Sequence, residues 1–173
     1  MLDLMRDGMI LWVFPTLMVY AAMTDLIDRR IANWVSLALV AGFALLALVT
    51  WMPLTQLAGH LGVAALAFAI GFVLFAMGKM GGGDVKLIAA SILWFGLSDG
   101  LLYAIAFSIA GLFVTVVFLA LRADTAQFLL ASNKLTRPFA GRDPSGRDVP
   151  YGMAISAGAL FVVPTLAAVH GTI

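Results

Sequence analysis

Nine acidic residues, all of them Asp, and ten basic ones are spread over 173 positions. Two of the acids sit where a charge is expensive. Asp25 ends the stretch MVYAAMTD, and Asp84 follows three glycines in GGGDVKL, between the apolar runs Leu61–Met77 and Val85–Leu97. Carboxylates at membrane depth are costly and line polar cavities or pathways. Two of them on separate helices, at the same depth, can converge. A close pair cannot readily ionise together and therefore shares a proton. One is then a base and the other an acid at the same pH, the arrangement with which aspartic proteases activate water against a peptide carbonyl. That chemistry needs no metal and no cofactor, and none is expected. The chain has no cysteine, so disulfides, cysteine zinc sites and thiol nucleophiles are excluded. A plainer reading stands beside it: each Asp caps a helix or pairs with a neighbouring Arg or Lys, and Asp84 suits the N-cap of the following helix.

The elements that carry these residues follow from composition. The chain is 63% hydrophobic and only 11% charged, with a mean hydropathy of +1.07. A water-soluble domain of this size needs a charged surface. The pattern predicts an all-α integral membrane protein, one bundle of about six transmembrane helices. The predicted spans are Met9–Met23, Trp34–Trp51, Leu57–Met77, Val85–Leu97, Leu101–Leu121 and Pro150–Val169. The first lacks the basic start and small-residue cleavage site of a removable signal peptide. The fourth is short: either a core helix shielded by neighbours, one that begins further up in the glycine segment, or a re-entrant segment in a five-span chain. Lys and Arg decide orientation. Arg29, Arg30, Lys79, Lys86, Arg122, Lys134, Arg137, Arg142 and Arg147 all fall on one side of a six-span arrangement, and only Arg6 on the other. Both termini are therefore expected outside and the basic loops in the cytoplasm. Five spans would put Arg122–Arg147 on the wrong side. Residues 123–149 form the one long loop of a single 1–173 domain, either an amphipathic surface helix or a solvated loop. A net charge of +1 gives no reason to expect nucleic acid.

Gly81, Gly82 and Gly83 permit close approach of another chain. A peptide must be extended to be cut, and a glycine segment beside Asp84 could receive it; close helix packing is the alternative. The segment GGGD contains G-x-G-D at Gly81, Gly83 and Asp84, and resembles the motif of the intramembrane aspartic proteases. GGGDVKL, running on to Lys86, resembles the prepilin peptidases within that group. A second match is DLIDRRIAN: the family's first catalytic Asp precedes a basic stretch and then I-P-N, as Asp25 precedes Arg29, Arg30, Ile31 and Asn33. A third is VPYG, with Pro150, Tyr151 and Gly152, similar to the motif that opens the family's last span. Ala32 and Met153 stand where the family usually has Pro. Asp28, three residues after Asp25, is a rival for the first catalytic position, but the spacing to Ile31 and Asn33 favours Asp25.

The resemblance implies a membrane aspartic endopeptidase of the bacterial inner membrane. Its partners would be prepilin or pseudopilin substrates, each with a short basic leader and an apolar helix, together with membrane lipid. Asp25 and Asp84 would activate water at the cytoplasmic face. Lys86 would tune or orient Asp84, or simply be a positive-inside lysine. Long members carry an N-terminal cysteine segment that binds zinc and is linked to methylation. This chain begins directly at its first span, so the resemblance implies the short, peptidase-only type of the tight-adherence (Flp) pilus systems. Two other readings remain at this point. A proton-coupled transporter predicts mid-membrane acids and symmetric broken helices. A non-catalytic subunit of a pilus or secretion assembly predicts that Asn is tolerated at both Asp positions.

Overall fold

The computed structural model describes residues 6–121 and 149–170. Its described residues are all-helical, with no strand among them. Helix α1 is Arg6–Asp28, α2 Asn33–Val49, α3 Leu54–Ala76 and α6 Tyr151–His170. Between α3 and α6 lies Gly82–Leu121, helical except at Gly96, where φ is 63° and ψ −154°. We call its two parts α4 (82–95) and α5 (97–121). They form a hairpin. In one straight helix Ser91 and Tyr103 would be about 18 Å apart along the axis, yet their hydroxyls are 2.7 Å apart, and the Phe95 and Tyr103 rings stack at 4.8 Å. The expected fourth and fifth spans are thus separate helices, and α4 begins further up in the glycine segment than Val85. Asp84 is consequently in the first turn of α4 rather than at its N-cap.

The connections alternate between two ends of the bundle. Arg6, the 50–53 turn and Ser98–Asp99 line one cavity at the first end. The residues after α1 and before α4 line another at the second end. Arg29 stacks on Phe118 near the end of α5, 5.3 Å from the ring centroid, which brings that terminus to the second end too. The expected loop 123–149 lies outside the described residues apart from Val149.

Spacing explains the packing. Phe14, Met18, Ala21 and Asp25 share one buried face of α1, and Val35, Leu39, Phe43 and Leu46 share one of α2, the i, i+4, i+7 recurrence of a helix stripe. Val85, Leu87, Ile88 and Ala90 through Phe95, all buried, make α4 the central helix. A helix of that length rises about 21 Å, short of a ~30 Å hydrocarbon core; its burial shields it, as one of the sequence alternatives required. Trp94 donates its indole N–H to Leu39 O at 3.0 Å and rests on Phe14. Near its start α1 widens to a π-turn at Met9–Val13, just before Pro15, which has no N–H and whose ring crowds the preceding turn.

The outer surface is apolar. Only Gly71 of α3 is buried, while Leu54, Leu66, Phe72 and many others are exposed. Among the described residues Arg6–Asp28 and Leu54–Ala76 are each long and apolar enough to cross a membrane, and so by length and composition is Gly82–Ala120, which the reversal at Gly96 divides into α4 and α5. Trp12 and Trp51 project from the first end and Trp34 from the second, where aromatic side chains meet a bilayer interface.

Candidate active site

Asp25 lies one turn before the end of α1 and is 7% exposed. Its neighbour is α6. The Gly152 backbone N–H, in the first turn of α6, donates to Asp25 Oδ2 at 2.7 Å, and the Met153 amide also faces the carboxylate. Free N–H groups at a helix start suit an anion. The approach is close enough to require glycine: a Cβ on residue 152 would lie 2.8 Å from Asp25 Oδ2 and 2.9 Å from its Cγ. Pro150, buried just before, fixes the entry to α6.

After Asp25 the helix stops sharply. Arg29 takes a left-handed conformation, φ 55° and ψ 31°, and its N–H closes the last turn on Asp25 O. Glycine usually fills such a position. An arginine there costs roughly 1–2 kcal/mol, and in return the guanidinium stays at the site, with Phe118 on one side and the Asp25 charge within reach.

Asp84 arrives from the other direction, on the first turn of the central helix. Each preceding glycine has its own neighbour. A Cβ on Gly81 would lie 2.8 Å from Asp84 Oδ2, one on Gly82 3.3 Å from Phe75, and one on Gly83 3.2 Å from Ile31 Cβ. The segment is therefore flattened between the 29–32 turn, the end of α3 and the carboxylate it carries. Both carboxylates line one cavity of about 310 Å³, together with Arg29, Arg30, Ile31 and Gly81–Gly83. The charge of Asp25 is felt at Asp84.

Of the residues singled out in the sequence, Asp25, Asp84, Ile31, Gly81, Gly82 and Gly83 share this cavity, and Gly152 touches it through Asp25. Tyr151 is exposed and lies outside the lining. Asp28 is exposed and outside it too. Lys86 does not reach Asp84: it donates from Nζ to Asn33 Oδ1 at 2.9 Å, clasping the start of α4 to the start of α2. Sequence reasoning missed this clasp, and it missed the hydrogen bond from Gly152. Among the described residues no group of three or more His, Cys, Asp or Glu could hold a metal.

A helical membrane protein with two carboxylates converging in one end cavity is the class that fold and site define. Within it, the chain belongs to the type IV leader peptidase family, whose sequence pattern matches residues 12–119, more than half of the chain. Membership carries protease activity with it. The match includes both aspartates but stops before Gly152, so the contact between α1 and α6 is an independent observation. No curated protein and no solved structure gives a significant match.

Proposed function

We propose that the protein is an aspartic endopeptidase that removes the short basic leader of prepilin or pseudopilin precursors at the cytoplasmic face of the bacterial inner membrane. The observation that carries this reading is the shared cavity of Asp25 and Asp84 at the end of the bundle where Arg29, Arg30, Lys79 and Lys86 collect. Positive residues favour the cytoplasmic side, and six spans with both termini outside follow from the same asymmetry. Asp25 and Asp84 are the catalytic pair, needing no metal or cofactor.

The Gly152 N–H makes Asp25 Oδ2 an acceptor, so the exchangeable position of that carboxyl group is Oδ1. One carboxylate removes a proton from water as its oxygen attacks the scissile carbonyl carbon. The protonated carboxyl of the pair delivers its proton to the carbonyl oxygen. Collapse of the tetrahedral diol sends a proton to the leaving nitrogen as the C–N bond breaks, and the pair is again singly protonated. A cavity of about 310 Å³ admits a stretch of extended backbone and a water, which occupies about 30 Å³. Gly81–Gly83 let that backbone approach. Arg29 and Arg30 on the lining keep a basic leader outside the cavity, in the aqueous phase, with only the scissile segment inside. The family pattern and the carboxylate pair together favour this over a transporter, whose acids belong at mid-membrane.

The test is leader removal in membranes, followed by gel shift with a co-expressed Flp-type prepilin. Asp25→Asn and Asp84→Asn should both abolish cleavage while protein levels hold. In the Asp25→Asn variant the new amide oxygen still accepts from Gly152, but in neither variant does the amide exchange a proton. Asp28→Asn should cleave. Normal cleavage by both of the first two variants would refute the aspartic mechanism; a dead Asp28→Asn with an active Asp25→Asn would move the first carboxylate.

A further inference from the structure

A second cavity opens sideways between α2, α3 and α4. It measures about 510 Å³ and runs from Asn33 and Lys86 at its mouth past Ser36 to Val40, Leu61 and Phe68. The mouth carries charge and the body is apolar. Lys86 gives one N–H to Asn33 Oδ1, so two ammonium donors and the two amide donors of Asn33 remain there. One turn deeper, Ser36 is 8% exposed and its hydroxyl has no partner in the protein. Among the described residues one other buried serine hydroxyl, that of Ser156, also lacks a partner, but it lies outside this cavity. Ser91, Ser108 and Thr115 each bond the carbonyl four residues back at 2.7 Å, the ordinary resort of a helical hydroxyl.

We propose that this groove is a binding site for one anionic phospholipid. The phosphate sits on Lys86 and Asn33, an ester carbonyl one glycerol linkage below it accepts from Ser36, and an acyl chain fills the apolar body. The cation at the mouth argues for this occupant. It attracts a phosphodiester and repels the basic leader that the proposed substrate carries. The Lys86–Asn33 clasp lies two residues from Asp84, so the lipid would brace the turn of α4 that carries the carboxylate. The choice of occupant rests in part on the protease reading, but lipid retention is measured directly, so either can fail without the other.

Native mass spectrometry of the full chain in detergent measures it, with phosphatidylglycerol and phosphatidylcholine of identical acyl chains. Wild type should retain one phosphatidylglycerol in preference to phosphatidylcholine. Lys86→Met should weaken phosphatidylglycerol about five-fold, the worth of one cation near a lipid surface, and leave phosphatidylcholine unchanged. Ser36→Ala should weaken both lipids alike. Ala65→Trp, which fills the groove from an exposed position, should remove both, and melting temperatures report that each variant is folded. Equal retention of the two lipids by wild type overturns the proposal. So does competition by glycerol phosphate as effective as by the whole lipid, since the groove would then contribute nothing. So does an Ala65→Trp variant that keeps its lipid yet stops cleaving, which would make the groove the seat of the substrate helix.

Discussion

Gly152→Ala adds one carbon at the point where α6 meets Asp25. Built on the existing backbone, that carbon would lie 2.9 Å from both Cβ and Cγ of Asp25 and 2.8 Å from Oδ2. Carbon atoms rest comfortably at about 3.5–4.0 Å, so α1 and α6 must part, or the carboxylate swing, by roughly 0.6–1.1 Å. Either movement stretches or breaks the 2.7 Å bond from Gly152 N–H to Oδ2. Bonds to a charged group contribute about 1.5–3 kcal/mol, and a displacement of ~1 Å at a catalytic group costs on the order of a hundred-fold in rate. We expect leader cleavage to fall about a hundred-fold per folded molecule. The assay is a time course of prepilin processing in membranes, normalised to folded protein by melting in detergent. Two other glycines calibrate it. A Cβ on Gly62 meets nothing within 4 Å, so Gly62→Ala should process normally. A Cβ on Gly158 would lie 2.5 Å from the Phe107 backbone, which cannot yield, so Gly158→Ala should lower stability while the folded fraction retains its rate. The reasoning is refuted if Gly152→Ala processes at the wild-type rate, or if its loss merely follows lowered stability as in Gly158→Ala.

Three further outcomes are expected. Gly96→Ala should fold poorly: its φ and ψ are nearly exclusive to glycine, a strain of about 1–3 kcal/mol, and its Cβ would lie 2.6 Å from the His60 ring, so the melting temperature should drop sharply. Ser91→Ala should destabilise by about 1–3 kcal/mol because it strands the buried Tyr103 hydroxyl; Tyr103→Phe should cost less, since Ser91 keeps Leu87 O, and the double variant should recover part of the loss, all read by chemical or thermal unfolding. Arg29→Gly and Arg29→Ala both remove the guanidinium beside Asp25 and should depress cleavage alike, but the glycine variant should be the more stable by roughly 1 kcal/mol because φ at this position is positive.

Much of the scaffold was legible because membrane helices announce themselves by apolar length, and the charge asymmetry of Arg29, Arg30, Lys79 and Lys86 marks one end. The segment 82–95 was hard to read for a physical reason. Buried on nearly all sides, it has no polar face to set a period, and its start lies inside a glycine run that resembles a loop. The two aspartates were legible because a charge in an apolar sequence must have a partner or a purpose. Asn33 and Lys86, 53 residues apart, gave no sign that they meet. Neither did Ser91 and Tyr103, whose bond depends on the reversal at Gly96.

The sequence by itself determined that the chain is helical and membrane-embedded, that Asp25 and Asp84 stand out as carboxylates at the ends of apolar runs, and that it resembles the leader peptidases. These properties depend on residue type and local spacing, which are written along the chain. Only the tertiary structure decided what surrounds each carboxylate. The fold brings Gly152 to Asp25 across 127 positions, sets the Arg29 guanidinium beside it, turns Lys86 away toward Asn33, and leaves Ser36 without a partner beside an apolar groove. Those facts depend on which helix faces meet, and meeting is settled by the packing of small residues at Gly71, Gly83, Gly152 and Gly158, whose reach of a few ångströms no linear pattern records.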